Sequence, residues 1–319
     1  MVPRNHTTHA VEELDALLAS PERADAALGL LGHDDLAALR YLRAALVEAP
    51  KFLLPDHGRI IENRGASIPN ELRLPYPMIV VEYDAPLFTD NAPDKFRSSR
   101  RVCLATEPGP GSIAEPGEVL IWPMFWMDDL ARWSVSPFAG VASMDPPTAT
   151  IIDGRVRLHG PASPVENADG RRLTLRPAFS LPNLHAAASR LPPGRQDKLM
   201  ADAVWDLGEE ACAVAGLIEA LACSNVEHRT LGPAPAKLNA KRARSGKPPI
   251  FEYRVLTIEA SSRAAGAPRA PLAGDRASPR QHLRRGHIRR LDGGRTVFVR
   301  PAMVGDAARG ALAKDYRLR

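Results

Sequence analysis

Two histidines and four arginines lie within nine residues near the end of the chain, and no other segment is so rich in chemically active side chains. They are His282, Arg284, Arg285, His287, Arg289 and Arg290. At neutral pH one imidazole can take a proton from an attacking hydroxyl while a second protonates the leaving oxygen. Guanidinium groups bind phosphate through paired hydrogen bonds and stabilise its extra charge. These residue types fit metal-independent phosphodiester cleavage.

The spacing of the two histidines sets a geometric condition on that chemistry. In an uninterrupted strand His282 and His287 are five positions apart and point to opposite faces. A one-residue bulge at Gly286 would bring them to the same face. Two alternatives remain open: a basic strand that binds a polyanion without catalysis, and a solvated edge strand whose charge prevents aggregation.

A second basic segment, residues 237–247, precedes a run of alternating residues that predicts a strand. This segment could follow a phosphate backbone, with Tyr253 available to stack on a base. The alternative is a flexible surface linker. The predicted nucleic-acid-binding residues are Lys241, Arg242, Arg244, Lys247, Tyr253, Arg284, Arg285, Arg289 and Arg290.

Charge is strongly segregated along the 319 residues. Residues 1–150 contain 13 Lys and Arg against 21 Asp and Glu, whereas residues 229–319 contain 21 against 6, a net charge of +15. Such a basic region indicates a polyanionic partner, with RNA or DNA as the first candidate. The acidic residues 1–150 could shield the basic region or bind a protein partner.

Several short segments of this C-terminal region resemble a unit common in uncharacterised bacteriophage and prophage proteins. They are KLNAKR at residues 237–242, GKPP at 246–249, YRVL at 253–256, HLRRGHIRR at 282–290 and KDYR at 314–317. The resemblance covers about residues 229–319 and implies a mobile-element context and a cytoplasmic setting. It implies no activity, because that family has none assigned.

Other classes of protein lack support in the sequence. There is no GxxxxGK[ST], no GxGxxG after a strand, no GxSxG and no HExxH, so we expect neither a cofactor nor a metal. Three cysteines are too few for a disulfide framework. The longest apolar run, Val119 to Met127, is far shorter than the ~20 residues that span a bilayer. We therefore expect a cytoplasmic protein that does not enter a membrane.

Hydrophobic periodicity predicts an α+β fold in three units. Residues 1–50 form a helical unit, and residues 51–228 form a body with an irregular antiparallel β region and one long helix at 196–224. Residues 229–319 form a basic, mainly β module with a hairpin turning at Asp292-Gly293-Gly294. The aromatic residues between Trp122 and Trp133 are predicted to fill a core.

Two functions follow from these observations. The first is a phage-type nucleic-acid-binding protein acting through the basic module, with cleavage by His282 and His287 if they share a site. The second is a non-enzymatic phage interaction or structural protein whose acidic half binds a partner. Salt-dependent binding of a polynucleotide distinguishes the two.

Overall fold

The computed structural model describes residues 5–20, 33–60, 72–86, 98–109, 112–143, 149–152, 155–158, 173–231, 235–258, 280–284, 287–291, 293–299, 302–304 and 306–311. The statements below concern these residues. The chain has an α+β fold, which confirms the predicted class. None of the helices in these ranges is both long and apolar enough to cross a membrane.

Five α-helices and sixteen strands lie in the described ranges. The helices are α1 (His6–Ala19), α2 (His33–Glu48), α3 (Pro182–Ala188), α4 (Pro193–Leu221) and α5 (Ala236–Arg244). Strands of the first half are β1 (Lys51–Leu53), β2 (Met78–Asp84), β3 (Ser98–Thr106), β4 (Val119–Met127), β5 (Arg132–Val135), β6 (Phe138–Ser143), β7 (Ala149–Ile152) and β8 (Arg155–Leu158). The others are β9 (Thr174–Phe179), β10 (Val226–Thr230), β11 (Tyr253–Ile258), β12 (Arg280–Arg284), β13 (His287–Arg290), β14 (Thr296–Val299), β15 (Ala302–Val304) and β16 (Asp306–Ala311).

One mixed sheet of eleven strands organises the body. Its order is β10-β11-β1-β2-β3-β4-β6-β9-β7-β8, with β5 paired to β4. Strand β1 runs parallel to both β2 and β11, whereas the other pairs of this sheet are antiparallel. The first half of the chain therefore joins the C-terminal region through β1, a strand of three residues.

Strand β2 is covered on both faces, which explains its almost continuous apolar sequence. Ile79, Val81 and Tyr83 belong to the core formed with α4. Val80, between them, belongs to the core formed with α1 and α2. Successive side chains of a strand point to opposite faces, so the run from Met78 to Tyr83 supplies both cores.

The long helix α4 approaches the sheet closely beside a short 3-10 turn, Asp56–Gly58. His57 and Gly58 both adopt left-handed backbone conformations, with φ of 58° and 63°. A Cβ atom at Gly58 would lie 2.4 Å from the Cβ of Ala213 on α4. Glycine at position 58 therefore allows both the turn and the close approach of the helix.

Many elements predicted from periodicity are present with small shifts at their ends. The N-terminal helix, the helix following Asp34 and Asp35, the strands of the central region and the long helix are all found. Trp122 and Trp133 are buried in the core with α1 and α2, as predicted for the aromatic group. The sequence also predicts a helix that begins at Pro21 and a short strand at 314–318. Both lie outside the described residues.

The sheet runs through the predicted boundary at residue 229. That position lies inside β10, which pairs with β11, and β11 pairs with β1. Residues 226–230 and 253–258 are therefore strands of the central sheet. The basic region begins within the body of the protein.

The predicted C-terminal hairpin is present and is docked on the turn between α4 and β10. Strands β13 and β14 pair antiparallel. The Asn225 side chain donates to Phe298 O at 2.8 Å and accepts from Phe298 N at 2.7 Å, as a neighbouring strand would. The Phe298 ring is buried with Cys223 and Val226. This contact fixes β13 and β14 to the end of the long helix.

A buried carboxylate connects three distant segments. Glu82 on β2 is fully buried, and its Oε2 accepts from Thr7 N at 2.9 Å, Thr7 Oγ1 at 3.0 Å and Tyr253 Oη at 2.8 Å. Thr7 lies in the first turn of α1, whose positive dipole end favours an anion. Burial, and then the charge of Glu82, raises the pKa of Tyr253, so its hydroxyl stays a donor.

We expect Tyr253→Phe to lower the free energy of unfolding by about 1–3 kcal/mol, because the buried Glu82 carboxylate loses a donor. Urea unfolding measures the change. Tyr76→Phe is the matched control, since it removes a hydroxyl whose one contact in the described structure is exposed and 3.5 Å long. Equal losses for the two variants would contradict a special role for the Glu82 contact.

Candidate nucleic-acid interface

The basic segment predicted at 237–247 folds as the helix α5 followed by a tight C-terminal turn. Ala, Leu, Lys and Arg are strong helix formers. Gly246, with φ of 64°, ends the helix. Gly246 N donates to Ala243 O at 3.1 Å and Lys247 N donates to Arg242 O at 3.0 Å, the two bonds of a glycine-terminated helix end. The segment is thus an ordered helix and not a flexible linker.

Three cations of α5 share one exposed face. At about 100° per residue, Lys241 lies about 40° and Arg244 about 20° from the direction of Lys237. All three side chains are exposed, as is Lys247 beyond the end of the helix. Along the axis, Lys237 and Lys241 are about 6 Å apart, and Lys241 and Arg244 about 4.5 Å.

The opposite face of α5 anchors the helix to the body. Asn239 exchanges two hydrogen bonds of 2.8 Å with the backbone of Ile250. Arg242 donates through Nε to Pro248 O and through Nη2 to Glu12 Oε1, both at 2.6 Å. These anchors lie about 140–160° around the helix from Lys237. The helix is therefore held on one side, and its three cations project from the other.

Two predicted binding residues are placed differently from expectation. Arg242 forms an ion pair with Glu12 of α1 and is engaged within the chain. Tyr253 is fully buried with its hydroxyl on Glu82, so its ring is closed to a nucleic-acid base. Both residues hold the basic region on the body, and we remove them from the predicted binding set.

The backbone register of the C-terminal hairpin bears on the paired histidines. His282 on β12 faces Val304, and His287 on β13 faces Val299. The segments that join these pairs include Gly286 and lie partly outside the described residues, so the bulge predicted at Gly286 stays a prediction. The side chains of His282, Arg284, His287 and Arg290, and all of Arg285, lie outside the described residues. Arg289 is exposed on β13.

A group of planar side chains that the sequence did not predict lies at the β10 edge of the sheet. The rings of Tyr76 and His228 have centroids 6.2 Å apart, and the Phe52 ring lies 6.4 Å from Tyr76 and 5.8 Å from His228. The Arg254 guanidinium lies over the Tyr76 ring at 4.6 Å. We call Tyr76, His228 and Arg254 the aromatic edge. Its members are 152 and 26 residues apart in sequence, so no local pattern indicates it.

Comparisons with known proteins gave no match for this chain. No protein-family model, no curated protein and no solved structure matches it. Its function must therefore be inferred from the side chains and their geometry.

A second feature that was not predicted from the sequence is a partly buried cluster of charged side chains between α4 and the sheet. His57 Nδ1 lies 2.7 Å from Glu209 Oε1, and Arg101 Nε lies 3.1 Å from Glu210 Oε1. Arg101 also contacts the Phe125 ring and the carbonyl of Ser98. Glu209 and Glu210 are adjacent on the predicted long helix, but glutamates are usually exposed to solvent, so their burial was not expected.

Within this cluster, burial has a large effect on the pKa of Glu210. Its side chain is fully buried, and burial raises its pKa from the usual 4.5 to about 7, although Arg101 opposes the shift. Tyr83 and Cys103 lie on the same side, and burial raises the pKa of each. The carboxyl group therefore changes its protonation state near neutral pH.

The described side chains provide no metal centre. Among them, no three His, Cys, Asp or Glu residues are grouped so as to hold an ion. The ionic cluster joins α4 to β3 through Arg101 and Glu210, and to the 3-10 turn through His57 and Glu209.

We expect Glu210→Gln to gain stability relative to the wild type as the pH rises. A raised pKa means that the folded wild type binds its proton more tightly, so stability is lost between about pH 4.5 and about pH 7. Between about pH 5 and about pH 8 the difference in unfolding free energy should move by about 2–3 kcal/mol in favour of the variant. Urea unfolding at both pH values measures it.

The matched control is Glu227→Gln, which changes an exposed glutamate on β10. A change with pH that is larger for Glu210→Gln than for Glu227→Gln assigns the effect to the buried carboxyl group. Equal changes for the two variants would show that Glu210 has no special effect on the pH dependence of stability.

Proposed function

We propose that this protein binds nucleic acid through the exposed cationic face of α5. The observation that carries the proposal is the position of Lys237, Lys241 and Arg244 on one exposed face, opposite the anchors Asn239 and Arg242. Phosphate backbones attract such groups of cations and release counterions on binding. The contact is electrostatic and does not by itself select a sequence.

Neutralisation within the chain is the main alternative use of these cations, and it applies to one of them. Arg242 pairs with Glu12, whereas Lys237, Lys241, Arg244 and Lys247 form no ion pair with a carboxylate in the described part of the chain. An exposed lysine or arginine gains little from a surface ion pair, so the three unpaired cations of α5 can meet an external anion without losing a stabilising contact. Their exposure supports an external polyanion.

Arg289 and Arg295, both exposed near the turn of the C-terminal hairpin, add cations to the same half of the protein. Cleavage by His282 and His287 stays a prediction of the sequence, because their side chains lie outside the described residues. A phage context and a protein partner for residues 1–150 stay predictions of the sequence.

We expect the triple variant Lys237→Gln, Lys241→Gln, Arg244→Gln to bind nucleic acid more weakly and with a smaller salt dependence. Each lost phosphate contact lowers the slope of log K against log salt by about 0.9 for duplex DNA and about 0.7 for single strands. Three contacts therefore correspond to about 2.7 and about 2. Fluorescence anisotropy with labelled oligonucleotides over a salt series measures the slope.

The matched control is Arg190→Gln, Arg195→Gln, Lys198→Gln, which removes the same net charge from exposed positions near the start of α4. This control should keep most of the wild-type slope. If both triple variants lose the same slope, the effect is one of net charge and α5 is not the interface. If the wild type binds no nucleic acid at low salt, the proposed function is wrong.

A further inference from the structure

The aromatic edge is built on a buried apolar floor. Phe52 on β1 is fully buried, and it lies opposite Arg254 in the parallel pairing of β1 with β11. His228 on β10 is exposed, and Tyr76, which precedes β2, is half-buried. Strand β10, strand β11 and the segment before β2 thus place the rings of His228 and Tyr76 and the guanidinium of Arg254 close together at a partly exposed edge.

The guanidinium of Arg254 is held by its contact with Tyr76, and the side chain is partly exposed. Its carbon lies 4.6 Å from the ring centroid of Tyr76. Arginine planes and aromatic rings are the two kinds of surface on which unpaired bases stack, and arginine also donates to phosphate and base oxygens.

Two members of the aromatic edge, His228 and Arg254, belong to the same segment of chain as the cationic face of α5. Strand β10 carries His228, α5 follows it, and β11 with Arg254 comes next, so residues 226–258 form a strand–helix–strand unit. The antiparallel pairing of β10 with β11 joins its two ends.

We infer that the nucleic acid bound by this protein is single-stranded, and that unpaired bases stack on Tyr76, His228 and Arg254. This inference rests on the proposed function and names its substrate class. A duplex buries the faces of its bases against each other, so a stacking surface contributes only when bases are unpaired. The cationic face of α5 serves either form, whereas the aromatic edge serves only the single strand.

The test compares oligo(dT) with a duplex of the same length, at fixed salt, by fluorescence anisotropy. We expect Tyr76→Leu to weaken oligo(dT) binding about tenfold, in line with the loss of stacking to one base, and to leave duplex binding unchanged. Its salt slope should equal that of the wild type, because no cation is removed. Tyr76→Phe keeps the ring and should keep the wild-type affinity.

His228→Ala is the second variant, since it changes an exposed side chain and leaves the apolar floor in place. It should also weaken oligo(dT) binding and spare the duplex. Circular dichroism confirms that each variant is folded before its binding is measured.

Two outcomes overturn the inference in different ways. If Tyr76→Leu and His228→Ala leave oligo(dT) binding unchanged, or weaken duplex binding equally, the aromatic edge is not a stacking surface and the proposal for α5 stands. If the wild type binds neither oligonucleotide at low salt, the proposed function fails and this inference fails with it.

Discussion

The buried carboxylate of Glu82 is the contact on which the arrangement of the C-terminal region depends. An ionised side chain inside a protein is costly unless donors surround it. Glu82 obtains its donors from the start of α1 and from Tyr253 on β11. Since neither segment lies near it in sequence, the carboxylate favours the fold in which both meet β2. The edge that carries β10, β11 and α5 is thereby fixed to the N-terminal helix.

A short strand completes this connection. β1 contributes only Lys51 to Leu53, yet it pairs with β2 on one side and with β11 on the other. Lys51 is itself buried, and burial lowers its pKa to about 7, with its Nζ donating to Val47 O at the end of α2. A lysine at this position joins the last turn of α2 to the sheet, where carbonyl groups at a helix end attract a donor.

The pattern of apolar residues was enough to predict many of the helices and strands, but it was not enough to predict which segments pack on them. Alternation along β11 correctly indicates a strand, and it places Tyr253 and Val255 on one face. Whether that face is open depends on β1 and on Glu82, which lie about 170 to 200 residues earlier in the chain. For this reason Tyr253 was predicted as a stacking residue and is in fact a buried donor.

The sequence contains local signals for the helix α5, but the charge of this segment led to its interpretation as a phosphate-binding stretch or a linker. Pro235 before the segment and Gly246 after it are typical of helix boundaries, and the residues between them favour a helix. The aromatic edge had no such signal, because Tyr76, His228 and Arg254 come from three separate segments. The ionic cluster of His57, Arg101, Glu209 and Glu210 was hidden for the same reason.

The basic residues divide into those that are paired within the chain and those that are not, and this difference bears directly on function. Some basic side chains stabilise the fold through a partner in the chain. Arg242 forms an ion pair with Glu12, Arg101 forms one with Glu210, and Lys51 donates a hydrogen bond to the carbonyl of Val47. Lys237, Lys241 and Arg244 have no carboxylate partner in the described structure, although the helix that carries them is firmly anchored. Ordering a helix while leaving its cations exposed preorganises them for an anion, because the entropy of ordering is already lost before the ligand arrives.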